Sequence, residues 1–344
     1  MSRSLASLVA LVSSLVGDPA TSQILVSKLL PNDPKHEARF GVSVSFDGEA
    51  AFIGAHFADA PGVPAAGAVY VFERDGVLWT QTQKLTASDA GYSDIFGVDV
   101  AHEGDLAVVS ARYDKDNGPR SGSAYVFRRE PSGWIEEAKL LPSDGQAGAE
   151  FGVCVAVSGD LVAVGPSSFT SSPPPGFGGA VYLFERQSPG VWVEVQKLVG
   201  SLSVTGSGFG HSVDFVGDQL LVSQPGISQQ PGSGLTYIFQ KQGAAWSEAS
   251  VLQPGDLGAS DFFGSVLHHD EERLLLSAHK QDGGTTDTGA VYAYQLNGGA
   301  WIQDQKLTAS DAQAGDFLGG WGSLLGDHLF LSSIGNDQSG ANAP

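Results

Sequence analysis

Trp79-Thr80-Gln81-Thr82-Gln83-Lys84-Leu85 opens a stretch that runs through Asp89 and Phe96-Gly97, passes Gly104-Asp105-Leu106-Ala107-Val108-Val109, and closes on Gly122-Ser123-Ala124-Tyr125-Val126-Phe127. Most of the remaining chain is this stretch written again. Trp79, Trp134, Trp192, Trp246 and Trp301 each stand 18 positions ahead of a glycine, namely Gly97, Gly152, Gly210, Gly264 and Gly319. Phe96, Phe151, Phe209 and Phe263 precede that glycine, with Leu318 in the last copy. A further copy is headed by Phe40-Gly41, with Gln23 in the Trp place. The six starts lie 54 to 58 residues apart, a period that marks a repeat architecture whose units bury their apolar faces only against neighbours.

Each unit reads as four short strands. The first follows Phe-Gly, as in Val42-Ser43-Val44-Ser45. A Gly-Asp type pair turns the chain back into a second, wholly apolar run such as Leu161-Val162-Ala163-Val164. A run that short, bounded by turns, suits a strand covered on both faces. After a loop of variable length comes the third strand, for example Ala68-Val69-Tyr70-Val71-Phe72, whose Tyr and Phe share one side of the pleat. The fourth begins at the Trp, alternates polar with apolar residues, and in four of five Trp-headed copies ends in Lys-Leu. Four antiparallel strands per unit, each sheet covered on both faces, describe the blades of a β-propeller, and the Trp, Phe-Gly and Tyr/Phe landmarks then read as core between blades. The expected fold is therefore an all-β propeller with six repeat units over residues 23–344. The last unit lacks its third strand, because the chain reads Gly340-Ala341-Asn342-Ala343-Pro344 where earlier copies read Gly-Ala-Val-Tyr. Seven blades fit if the chain is a piece of a longer one, and the strand-like segment Gln23–Leu30 is placed to complete a final sheet.

Composition narrows the function classes. Among 344 residues, 38 Asp and Glu stand against 18 Lys and Arg, a formal charge of −20 that repels nucleic acid over most of the surface. The single cysteine, Cys154, lies in an apolar run and has no partner for an internal disulfide. No segment after the N-terminus is long and apolar enough to span a bilayer. Residues 1–22, with Arg3 and the apolar run Leu5–Val16, read either as a secretory signal peptide or as a tail.

The Phe-Gly opening, the second strand ending in Gly54-Ala55 or Gly165-Pro166, and the Gly-Ala-Val-Tyr third strand resemble the FG-GAP repeats of the integrin α-subunit propeller. The form with a Trp…Lys-Leu…Asp segment between units is similar to the bacterial type. The resemblance covers residues 23 to about 340. It implies a secreted or surface-displayed propeller with an adhesion or ligand-binding role toward a protein or glycan. Integrin-type repeats carry a D-x-D-x-D-G calcium loop after the Phe-Gly strand. Here Ser45-Phe46-Asp47-Gly48-Glu49 and its equivalents are too short for an oxygen cage, so integrin-type calcium sites are not expected and no cofactor is assigned, calcium at another position being the open alternative.

Two carboxylate series recur: Asp33, Asp89, Asp144, Asp256 and Asp311, eight residues before the Phe-Gly glycine with Leu202 as the exception, and Asp94, Asp261 and Asp316, three before it. They read either as acceptors of backbone amides in the connections between blades or as a ring of cation ligands. Asp114-Lys115-Asp116-Asn117-Gly118 reads as a turn. Strand order puts the loops between the second and third strands on the same face as these connections, and the loops vary. Variable loops on a repeated scaffold are where recognition residues sit, so the candidate ligand-binding residues are Arg112, Tyr113, Asp114, Asp116, Phe169, Phe177, His279 and Lys280. Tolerated drift is the competing reading. No catalytic motif stands out: there is no G-x-S-x-G elbow, no phosphate loop and no metal-spaced histidine pair. The alternatives are an enzyme with a central-channel site lined by Ser43, Asp99, His211 and Asp214, and a partial propeller with a structural role.

Overall fold

In the computed structural model the described residues are 9–11, 27–76, 78–166, 179–204, 206–226, 234–270, 272–283, 286–325, 328–333 and 335. Among them every regular element is a strand. Phe40–Phe46 (β3), Ala50–Ala55 (β4), Ala68–Asp75 (β5) and Leu78–Leu85 (β6) form the first four-stranded sheet in sequence order. The second is Phe96–Glu103 (β7), Leu106–Ala111 (β8), Ser123–Glu130 (β9) and Gly133–Leu140 (β10). The third is Phe151–Ser158 (β11), Leu161–Pro166 (β12), Val181–Ser188 (β13) and Val191–Leu198 (β14). Val213–Val216 (β15), Gln219–Gln224 (β16), Leu235–Gln242 (β17) and Ala245–Leu252 (β18) form the fourth, and Leu267–His269 (β19), Arg273–Ala278 (β20), Ala290–Asn297 (β21) and Ala300–Leu307 (β22) the fifth. Leu318–Leu325 (β23) pairs with His328–Ser333 (β24), the first two strands of a sixth unit. Val9–Leu11 (β1), inside the apolar N-terminal run, pairs antiparallel with Ser27–Leu29 (β2). These are the antiparallel blades of a β-propeller fold.

The chain divides into two compact units, Met1–Val162 with Glu185–Val193, and Ala163–Phe184 with Glu194–Pro344. In the first, the second strands are sealed: every residue of β4 and β8 is buried, as continuous apolar runs require when both faces are covered. Phe96 lies edge-on to Tyr125 at 5.5 Å and Phe40 to Tyr70 at 5.6 Å, which is how Phe-Gly and the third-strand tyrosine form one core. First strands lie side by side: Ser43 Oγ donates to the Gly97 carbonyl at 3.0 Å, and the Val155 amide donates to Asp99 Oδ2 at 2.9 Å. The second unit repeats the pattern, with Phe209 edge-on to Tyr237 at 5.1 Å and Phe263 to Tyr292 at 5.5 Å. Its first strands β15 and β19 start later than Phe-Gly predicts. Ser223 and Ser277 hydroxyls there take the amides of Ser212 and Val266, as the Ser110 hydroxyl takes that of Asp99 in the first unit, alongside backbone bonds from the Gly210 and Gly264 amides to the Ser223 and Ser277 carbonyls.

Candidate functional site

The loop between β8 and β9 is built from the inside out. The Asp116 amide donates to Asp114 Oδ1 at 3.0 Å, an Asx turn, and the Gly122 amide and Ser121 hydroxyl both reach the Asp114 carbonyl, at 3.0 and 3.2 Å. The far end of the loop then pairs with the segment leading into β11. The Glu150 amide donates to the Arg120 carbonyl at 3.0 Å and that of Phe151 to Ser121 at 2.9 Å, and Gly122 and Phe151 form a parallel bridge. Only glycine fits there: φ is +82°, and a Cβ would stand 2.0 Å from the Phe151 carbonyl oxygen. Gly67 and Phe96, and in the second unit Gly289 and Leu318, repeat the bridge. The loops between second and third strands are thus bonded to the connection ahead of the next blade.

Three members of the first carboxylate series, Asp33, Asp89 and Asp256, ligate cations, and the cations are lysine ammonium groups. Lys139 Nζ lies 2.6 Å from Asp89 Oδ2, 3.0 Å from Asp114 Oδ2 and 2.8 Å from Asp116 Oδ2, and Tyr125 donates its hydroxyl to Asp89 at 2.7 Å. Burial pulls the Lys139 pKa down, but its bonds to Asp116, Asp89, Tyr125 and Asp114 outweigh this and hold it above the ordinary lysine value. Lys84 with Asp33, at 2.5 Å, and Lys306 with Asp256, at 2.6 Å, repeat the clamp. Each lysine also lies over the tyrosine ring of its own blade. Where Leu202 replaces the Asp, Val251 replaces the lysine 49 positions on, so both halves of the clamp are absent together. The second series accepts backbone amides as the turn reading predicts: Gly91, Gly258 and Gln313 each donate at 2.7 Å to Asp94, Asp261 and Asp316.

These contacts sort the sequence candidates. Asp114, 3 % exposed, is spent inside the fold and is not displayed, and Asp116 leans onto the same lysine. Phe169 and Phe177 lie outside the described residues. Arg112 and Tyr113 are half-buried on the loop face, the guanidinium donating to the Tyr113 hydroxyl at 3.1 Å and lying 5.0 Å from its ring centre. Arg120 covers the same ring at 3.9 Å, and both arginines approach the buried Glu150, at 3.5 and 3.3 Å. In the second unit His279 accepts or donates at Nδ1 with the Ser265 hydroxyl at 2.8 Å, and Lys280 lies over the Phe262 ring at 5.1 Å.

Arg39 belongs with this group and was not singled out by the repeat pattern. It precedes Phe40-Gly41 at φ +55°, and its guanidinium lies 5.3 Å from the centre of the Phe57 ring, which in turn meets His56 edge-on at 4.3 Å. Burial first, then the charges of Arg39 and Arg112, push the His56 pKa down to about 4. The ring is neutral at pH 7. Because the unfolded-state value is higher, the unfolded chain takes up this proton first, so stability falls as pH drops through 6.5 and levels near 4. After discounting for solvent screening the expected loss is on the order of 1–2 kcal/mol. Urea melts of wild type and His56→Gln between pH 7 and 4 check it, with the shallower slope expected in the variant.

The FG-GAP repeat family profile matches residues 24–72, 79–127, 134–184 and 246–294, together more than half of the chain. The chain belongs to the FG-GAP repeat family. No curated protein matches it. Each FG-GAP match ends on the third strand of a blade, and those starting at residues 79, 134 and 246 begin on the fourth strand of the blade before, so these three contain a whole connection. Two Trp-headed copies lie outside the matches: the last, headed by Trp301, and Trp192 to Phe239, which has Leu202 in the clamp position. Among the described residues of this FG-GAP repeat protein no helix is long and apolar enough to cross a membrane.

Proposed function

We propose that this FG-GAP repeat protein is a non-catalytic recognition module, displayed outside the cell, that holds a protein or glycan ligand against the ends of its second strands and the loops that follow. The observation that carries this reading is the contrast at one repeated position. The residue after the buried second strand is His56, Arg112, Pro225 or His279, while the strand before it and the glycine bridge after the loop recur. Different side chains on one fixed backbone are what a recognition surface needs, since little ordering entropy is lost on binding.

The polar groups of the first strands support the same reading over an enzyme. Ser43 and Asp99 are bonded to the neighbouring first strand, and Asp214 Oδ2 lies 3.0 Å from His269 Nε2, so these candidates serve strand-to-strand contacts. Calcium has no assigned part in the proposal, because the acidic trio in the first unit is closed around Lys139. The test is a printed array of neutral and acidic glycans together with a displayed peptide library, probed with wild type and with Arg112→Ala/Tyr113→Ala. Binders that disappear in the variant at unchanged melting temperature support the proposal. Binders that survive it and vanish on Ile135→Ala at an outer strand contradict it, as does a complete lack of binders.

A further inference from the structure

His56 and His279 occupy the same place in their blades, directly after β4 and β20, but their surroundings differ. In the second unit Nδ1 of His279 bonds the Ser265 hydroxyl at 2.8 Å, and its ring lies against Phe262 and Phe317 at 5.7 and 6.4 Å. In the first unit the residue in the Ser265 position is Val42, and Arg39 stands where Phe262 stands. Nδ1 of His56 is accordingly closed off from solvent without a hydrogen-bond partner, in a residue only 7 % exposed. A buried polar nitrogen left unpaired is costly, and it asks for an acceptor or donor from outside the chain.

The charges next to it point to what that group is. Arg112 Nε is also buried and unpartnered, and its terminal nitrogen reaches Glu150 only at 3.5 Å. Glu150 is shared by Arg112 and Arg120, and among the described residues Arg39, over the Phe57 ring, pairs with no carboxylate, in a chain of charge −20. Both Arg39 and Arg112 act on the His56 ring. Guanidinium forks match a carboxylate in two-point geometry, and a neutral imidazole N–H can donate to the same group. The acidic surface repels a polyanion more than a monoanion, so among anions one that carries a single negative charge among neutral hydroxyls meets least opposition.

We infer that Arg39, His56 and Arg112 form a binding site for the carboxylate of a sugar acid at the end of an otherwise neutral glycan. The inference rests on the loop face being the recognition surface, and the experiment separates the two. Imidazole signals of isotope-labelled protein are followed by NMR during titration with 3′-sialyllactose, glucuronate, lactose and acetate.

The expected result is a saturable shift of the His56 signals with one or both sugar acids and none with lactose. Arg112→Met should weaken that binding at least tenfold with the other imidazole signals in place. Val42→Ser should weaken it too, by giving His56 the internal partner that Ser265 gives His279. Unmoved His56 signals with all four probes overturn the inference. So does acetate binding as tightly as the sugar acids, which would make this a general anion site. Sugar-acid binding that persists in Arg112→Met and Val42→Ser overturns the site assignment. If such binding is lost in Arg112→Ala/Tyr113→Ala, the loop-face reading survives that failure.

Discussion

Replacing Lys139 by Met should cost roughly 3–5 kcal/mol of folding stability, because it leaves Asp114, with 4 % of its side chain exposed, beside Asp89 and Asp116 with no cation among them. The pair energy of the intact clamp is much smaller than that figure. The loss comes from stranding buried charge, which is why an uncharged side chain of similar length is the informative replacement. Ligand oxygens of the three aspartates lie within 4.8 Å of one another, so the variant acquires a vacant acidic trio. Millimolar calcium should therefore restore part of its stability while leaving wild type unchanged. Urea denaturation with and without calcium reads both effects. A variant as stable as wild type in the absence of calcium would show that the ammonium is not what holds the loop to β10.

Glu137→Ala should cost about 3 kcal/mol or more, for a related reason. The Glu137 carboxylate takes Arg128 Nε at 2.5 Å, Arg186 Nε at 2.6 Å, the Gly190 amide at 2.9 Å and Trp192 Nε1 at 3.3 Å. Burial raises its pKa, but the Gly190, Arg186 and Arg128 bonds together bring it down to about 2. A carboxylate held below its unfolded value contributes fully above about pH 4.5, and that contribution fades as pH falls towards 2. Glu137→Gln should thus flatten the acid limb of the stability curve, while Glu137→Ala also loses the hydrogen bonds. Equal acid sensitivity in wild type and the Gln variant would remove Glu137 from the account.

The blades were legible because strand signals are local. Phe-Gly, the apolar second strand and the Tyr/Phe stripe recur in register, and the structure uses them as core in both units. The connections were only half legible. Asp94, Asp261 and Asp316 act within three residues, so the turn reading reaches them, whereas Asp89 finds Lys139 50 residues away on the next blade. The joint replacement by Leu202 and Val251 was the available signal, and it becomes informative only when the two positions are known to face each other.

Arg39 escaped for another reason. A left-handed φ at an arginine has no sequence signature, and nothing in a connection marks that its last residue turns towards the end of the second strand of the same blade. The exchange of Ser265 for Val42 is likewise readable only once the start of the first strand is known to face the end of the second.

The claim on which the rest depends is that the loops after the second strands belong to the blade framework and hold their side chains at fixed positions. Native-state amide hydrogen exchange tests it directly at Phe96, Phe151 and Leu318, whose amides donate across the loop-to-connection bridges at 2.9 Å. Protection in the range of the β4, β8 and β20 amides is expected. Exchange at the rate of an open surface loop would contradict the account, since the side chains at the second-strand ends would then have no rigid mounting.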